Sequence, residues 1–146
     1  MFPEREIENL IYQYAELIDD GDLAGVGNLL SGARFISPDG DVLAEGEEAI
    51  AKTYGAFTRI YEGGTPLSHH ITSNVQVKVN GDRAEARSYF TVLQATESLP
   101  LQPVMAGRYV DEFIRDESGW HFSCRQIIPR LTGDISQHVL LDISPA

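Results

Sequence analysis

Apolar residues recur at helical spacing over the first twenty positions. Ile7, Leu10, Ile11, Tyr14, Leu17 and Ile18 fall on one side of a helix, with Glu4, Glu6 and Glu8 near its N-terminal end, where negative charge is favourable. Gly21 is a natural stop, and Asp22 a natural N-cap for a short second helix through Leu29 and Leu30. Phe35-Ile36 and Val42-Leu43 flank Ser37-Pro38-Asp39-Gly40, which is turn chemistry. Ile50, Tyr54 and Phe57 predict a third helix from about Gly46 to Tyr61, ended by Glu62-Gly63-Gly64.

From His69 onward the period changes to two. Val75, Val77 and Val79 alternate with Gln76 and Lys78, and Asn80-Gly81 is a strong hairpin signal. Ala84 to Thr96 reads as the return strand, residues 98–103 as a loop, and Met105 to Arg115 as a third strand. A tight turn at residues 116–119 leads to a last long strand, Trp120 to Ile128, and residues 133–141 are expected to add a short C-terminal helix. Helices followed by a long antiparallel meander make an α+β pattern with helices on one face of the sheet. There is no internal repeat or low-complexity linker, so residues 1–146 are read as a single domain. A curved sheet closing over helices leaves a pocket at its open end.

Charge narrows the partners. The formal net charge is −11, from 11 Lys and Arg against 22 Asp and Glu. Nucleic acid binding depends on cations that neutralise phosphates, so a nucleic acid partner is not expected, nor is attraction to an anionic membrane surface. No apolar run approaches the roughly 18 residues of a membrane span, and the acidic N-terminus lacks the apolar stretch of a signal peptide. Cys124 is alone, which excludes an internal disulfide framework and a Cys-based zinc site and makes a reducing cytoplasm the expected location.

Some polar residues sit oddly in this pattern. Asp19 and Asp20 fall in the last turn of the first helix, where the dipole makes each carboxylate unfavourable by about 0.3–1 kcal/mol. Either both are solvated and lead into the turn, or something compensates them. His69 and His70 open the first long strand. Alternation puts His69 in phase with Ile71, Val75 and Val77, and His70 with Thr72, Asn74 and Gln76, but a bulge near Ser73 would reverse the phase. Arg125 interrupts an apolar strand, where an Arg pairs with a carboxylate, binds an anion, or snorkels to an exposed face. Tyr14, Tyr54, Tyr89 and Tyr109 suit core positions with a hydroxyl at a rim. No Gly-rich phosphate loop, nucleophile elbow or zinc-protease helix motif occurs. Adjacent histidines on a strand point to opposite faces and do not readily share an ion, so neither metal nor cofactor is expected.

Residues 14–30, 45–50, 69–92 and 106–127 together resemble the SnoaL-like group of the nuclear-transport-factor-2-like superfamily. This group includes scytalone dehydratase, a bile-acid dehydratase, a hexachlorocyclohexane dehydrochlorinase, polyketide cyclases and the small β subunits of ring-hydroxylating dioxygenases. The resemblance covers about Ile7 to Leu131. It implies a cone, in which a strongly curved antiparallel sheet wraps N-terminal helices around an apolar pocket. It also implies an Asp19–His70 dyad acting as general base, with Tyr14 and Arg125 as further catalytic groups and Tyr54, Asn74, Gln94 and Tyr109 as substrate-binding residues. Departures are visible: Gln94 stands where scytalone dehydratase has a second pocket histidine, and Ile18 and Ser37 fall at or near two of its tyrosines. The implied activity is a cofactor-independent, dehydratase-like elimination on a small cyclic, mostly apolar molecule. A non-catalytic β-subunit-like module, a hydrophobic-ligand binder, and an isomerase or cyclase using the same proton abstraction are the alternatives. A homotrimer is expected, with a homodimer as alternative.

Overall fold

A computed structural model of the chain describes residues 2–140. Helix α1 spans Pro3–Asp19, with proline in its first turn, where no intrahelical N–H bond is lost, and Glu4 and Glu6 complementing the dipole. It buries Ile7, Ile11, Tyr14, Ala15 and Ile18, the apolar stripe expected from their spacing. Helix α2, Leu23–Leu29, is capped by Asp22, whose side chain accepts the Gly25 N–H at 2.8 Å. Strands β1 (Arg34–Ile36) and β2 (Val42–Glu45) flank the predicted turn.

Helix α3, Glu47–Phe57, stops four residues before the sequence expectation. Thr58 is already extended and bridges to Val139, so pairing with a distant segment ends the helix before its glycines do.

The long strands are β3 (Ser68–Asn80), β4 (Arg83–Thr96), β5 (Leu99–Asp116) and β6 (Gly119–Thr132). With β1 and β2 they form one six-stranded sheet of order β2-β1-β6-β5-β4-β3. Every pairing is antiparallel except β1 with β6, which makes the sheet mixed. The α+β cone is thus observed, with helices and the inner sheet face sharing one core.

Residues 98–103 are not a loop. The turn is confined to Glu97 and Ser98, and β5 begins at Leu99, where Pro100 and Pro103 suggested irregular chain. The β4–β5 register shifts at Val92/Leu93 and Gln94/Thr96, irregularities that accommodate prolines with no N–H to donate. Gly107 permits a close approach between strands, since a Cβ there would lie 2.3 Å from the Ile128 carbonyl oxygen and 2.7 Å from the Phe90 ring.

The expected C-terminal helix is also absent among the described residues. Residues 133–140 form a strap with a turn at 136–138, and Asp134 Oδ1 accepts both the backbone N–H and the hydroxyl of Ser136, competing with helical bonding. Val139 pairs with Thr58, Leu140 N–H donates to the Phe57 carbonyl at 2.8 Å, and Arg59 N–H donates to the His138 carbonyl at 3.0 Å. No helix among the described residues is long and apolar enough to cross a membrane.

Candidate functional site

The inner sheet face, α1, α3 and the strap enclose a cavity of about 340 Å³. Its walls are chiefly apolar and aromatic, including Ile18, Phe35, Phe90, Val92 and Met105. The polar groups reaching it include Tyr14, Tyr54, Tyr109, His70 and His138.

His70 arrives there through a bulge. The β3–β4 register shifts between Ser73 and Gln76, and Asn74 adopts a positive φ of 55°. Beyond the bulge Val75, Val77 and Val79 face inward; before it the inward residues are Ser68, His70 and Thr72. One unpaired residue changes which parity of the strand meets the core. His69 is left exposed.

Asp19 closes α1 directly opposite the start of β3. Gly21, at φ 74°, lets the chain turn tightly there, where a Cβ would sit 2.0 Å from the Gly64 carbonyl oxygen. Asp19 Oδ1 lies 2.6 Å from His70 Nδ1 and accepts the Ser68 hydroxyl at 2.9 Å, while Oδ2 accepts the His70 backbone N–H at 2.8 Å. Burial works against ionisation of Asp19, but the bonds and charge of His70 together with Ser68 outweigh it and hold the carboxyl below its usual range. Those bonds also offset the unfavourable position of a carboxylate at a helix C-terminus. Asp20 has none and is exposed.

Tyr14 and Tyr54 meet hydroxyl to hydroxyl at 2.5 Å. Burial is the main reason that both phenols, and that of Tyr109, are pushed above the usual tyrosine value, so all remain neutral donors. Tyr109 stacks on Phe90 at 4.7 Å and meets Tyr14 edge-on at 5.7 Å.

Arg125 is placed differently from the expectation of a group facing substrate. It is fully buried, is absent from the cavity wall, and makes a two-pronged pair with Asp111 at 2.8 and 2.9 Å. Its guanidinium lies 4.1 Å from the Tyr14 ring centre and 3.8 Å from that of Tyr109. Burial raises the Asp111 carboxyl above its usual range, with the Arg125 charge pulling the other way. Sequence reasoning missed Asp111, although its signal was present: alternation puts it in phase with the buried Tyr109 and Phe113.

Of the residues expected to bind substrate, Tyr54 and Tyr109 line the cavity, whereas Asn74 and Gln94 do not. Asn74 is exposed because it is the bulge residue. Gln94 is buried, and its Nε2 donates to the Pro66 carbonyl at 3.0 Å and to the Gln137 carbonyl at 2.9 Å. Gln94 therefore ties the strap to the sheet, and Tyr61 assists by donating its hydroxyl to the same Gln137 carbonyl.

The strap carries a residue that no periodicity signalled. His138 is 7% exposed, lines the cavity, and its ring centre is 6.1 Å from that of His70. Burial and the nearby His70 pull its pKa down to about 4, so it is neutral at physiological pH. Among the described residues, no group of three or more His, Cys, Asp or Glu side chains is arranged to hold a metal.

Comparison with known proteins agrees with this architecture. A crystal structure of an NTF2-like protein with a cystatin-like fold from Novosphingobium aromaticivorans is 21% identical, over 92% of this chain and 86% of that one, with a TM-score of 0.72. A proposed scytalone dehydratase from the same organism is 23% identical over 89% and 85% of the two chains, with a TM-score of 0.68. The β subunit of a proposed aromatic-ring-hydroxylating dioxygenase, also from that organism, is 16% identical over 87% and 88%, with a TM-score of 0.66. No curated protein matches the chain. The model of the SnoaL-like domain matches residues 3–126. The chain belongs to the SnoaL-like domain family.

Proposed function

We propose that this protein is a cofactor-independent lyase that eliminates a small leaving group from a cyclic, mostly apolar molecule. The observation that carries this reading is the Asp19–His70 contact at the wall of an apolar cavity. With the His70 Nδ1–H donated to Asp19, Nε2 is the basic nitrogen and takes a proton from a substrate carbon. Asp19 fixes the tautomer and stabilises the imidazolium that forms. A base positioned in this way contributes roughly 10²–10⁴-fold.

The electrons of the broken C–H bond form the new double bond, the bond to the leaving oxygen breaks, and the imidazolium returns its proton so that water departs. Tyr14 and Tyr54 form a relay in which one phenol donates to the other and the second donates to a substrate carbonyl oxygen as enolate character develops. Arg125 acts behind them, through the rings of Tyr14 and Tyr109. The same proton abstraction without departure of a group would give isomerisation.

Turnover of cyclic β-hydroxy ketones, followed by the ultraviolet absorbance of the conjugated enone, tests the reading. Asp19→Asn and His70→Ala are each expected to abolish most of the signal. Unchanged turnover in both variants overturns the dyad.

A second reading, a non-catalytic partner subunit, is favoured by the likeness to a dioxygenase β subunit. Copurification with an oxygenase subunit, with no enone formed, would select it. In either case the outer sheet face, exposing Ile71, Tyr89 and Val110, suits self-association as a homotrimer, with a homodimer as the alternative. Light scattering distinguishes the two.

A further inference from the structure

The strap does more than cover the cavity. It places a second imidazole in a wall that is otherwise largely apolar. His138 is more than nine-tenths buried, and its Nδ1 has no hydrogen-bond partner. Leaving a buried nitrogen unpaired is unfavourable, so hydrogen bonding within the chain does not account for the ring's position. The position is also fixed: Gln94 and Tyr61 hold the neighbouring Gln137 carbonyl, Arg59 N–H holds the His138 carbonyl, and Val139 bridges Thr58. A side chain held in this way at the wall of a cavity meets a ligand there without large rearrangement.

We propose that His138 is the specificity-determining residue of the cavity, selecting ligands that carry a hydroxyl group on the side facing the strap. The inference rests on the elimination reading for its meaning, since that hydroxyl would be the leaving group. A neutral imidazole offers a donor on one nitrogen and an acceptor on the other. A hydroxyl is both, and so matches whichever nitrogen it meets. A halogen substituent lacks the donor, and a carbonyl uses only the donating nitrogen. The 6.1 Å between the two ring centres leaves room for one substrate to offer a C–H bond to His70 and an adjacent C–OH to His138. At about 340 Å³ the cavity is roughly twice the 150 Å³ known to hold one benzene ring, which suits a bicyclic molecule.

The test measures binding and does not require turnover. Affinities of 1-indanol and indane, which differ by one hydroxyl, are measured by calorimetry on wild type, His138→Phe and His138→Gln. The ratio of indanol to indane affinity is expected to fall about 3- to 10-fold in His138→Phe, as for one lost neutral hydrogen bond. Indane binding should persist there, showing that the cavity is intact. His138→Gln, which keeps a donor and an acceptor, should restore much of the ratio. In wild type, indanol but not indane should shift the ring ¹⁵N resonances of His138. An unchanged ratio in His138→Phe, or no binding of either compound to wild type, overturns the proposal. Because the ratio is read without turnover, failure of the elimination chemistry, seen as no enone from a β-hydroxy ketone, and failure of this inference give different results.

Discussion

Asp19 holds His70 by both its backbone and its ring, with one carboxylate oxygen on the backbone N–H at 2.8 Å and the other on Nδ1 at 2.6 Å. The double attachment fixes the ring orientation as well as its tautomer. Long-range ¹H–¹⁵N spectra should show wild-type His70 as the Nδ1–H form. In Asp19→Asn the side-chain amide also presents donors, and the Nε2–H form should appear. The proposed reaction should fall by about two to four orders of magnitude in that variant, with indane binding retained.

Arg125 and Asp111 are both fully buried, so each leaves an uncompensated charge when the other is removed. Arg125→Met and Asp111→Leu should each destabilise by about 3–5 kcal/mol, read from urea unfolding followed by Trp120 fluorescence. The double variant should recover most of that loss. If the singles cost little, the pair is not the buried anchor of the tyrosine cluster.

His138 gives stability a pH dependence. Its folded pKa is lowered to about 4 from an ordinary 6.5. Between these values the unfolded chain binds the proton and the folded chain does not, so stability is complete above pH 6.5 and declines as pH falls towards 4. The slope is at most about 1.4 kcal/mol per pH unit, amounting to on the order of 3 kcal/mol across the window. Urea midpoints at pH 7 and 5 should differ more for wild type than for His138→Phe, which carries no such proton.

Gln94→Leu removes the donor to the Pro66 and Gln137 carbonyls while keeping similar bulk. A cost of about 1–3 kcal/mol is expected. Hydrogen exchange should accelerate at the Arg59 and Leu140 amides, which bond across the strap, while amides in the middle of β4 and β5 keep their protection. Uniform acceleration would mean that Gln94 supports the whole sheet rather than the strap.

Element order and the helix-then-meander architecture were legible because burial imposes periods of 3.6 and 2.0 on apolar residues. The misreadings have local causes. Prolines 100 and 103 looked like loop because the register shifts that tolerate them leave no trace in composition. The end of α3 depended on Thr58 pairing with Val139, a contact across 81 positions of sequence. For Arg125, pairing with a carboxylate was one of three open readings beside the expected catalytic role, and its partner Asp111 was identifiable only from its phase with Tyr109. Gln94, read as a binding residue, instead holds the strap. His138 was hidden because the strap has no periodicity and takes its position from side chains elsewhere. The helix terminus was the most informative anomaly: of its two aspartates, each placed at a cost, Asp19 has compensating partners and Asp20 is exposed.

The bulge at Ser73–Gln76 divides β3 into two segments whose facing can be set independently. If the same residues ran through Ser73–Gln76 without a bulge, Val75, Val77 and Val79 would stay against the core and His69, in place of His70, would turn towards the cavity. The presence or absence of the bulge thus decides which residue is presented to a ligand, while the Val75–Val79 face stays packed. Such a strand lets the chemistry at the mouth of the cone diversify while the core that keeps the protein folded stays as it is.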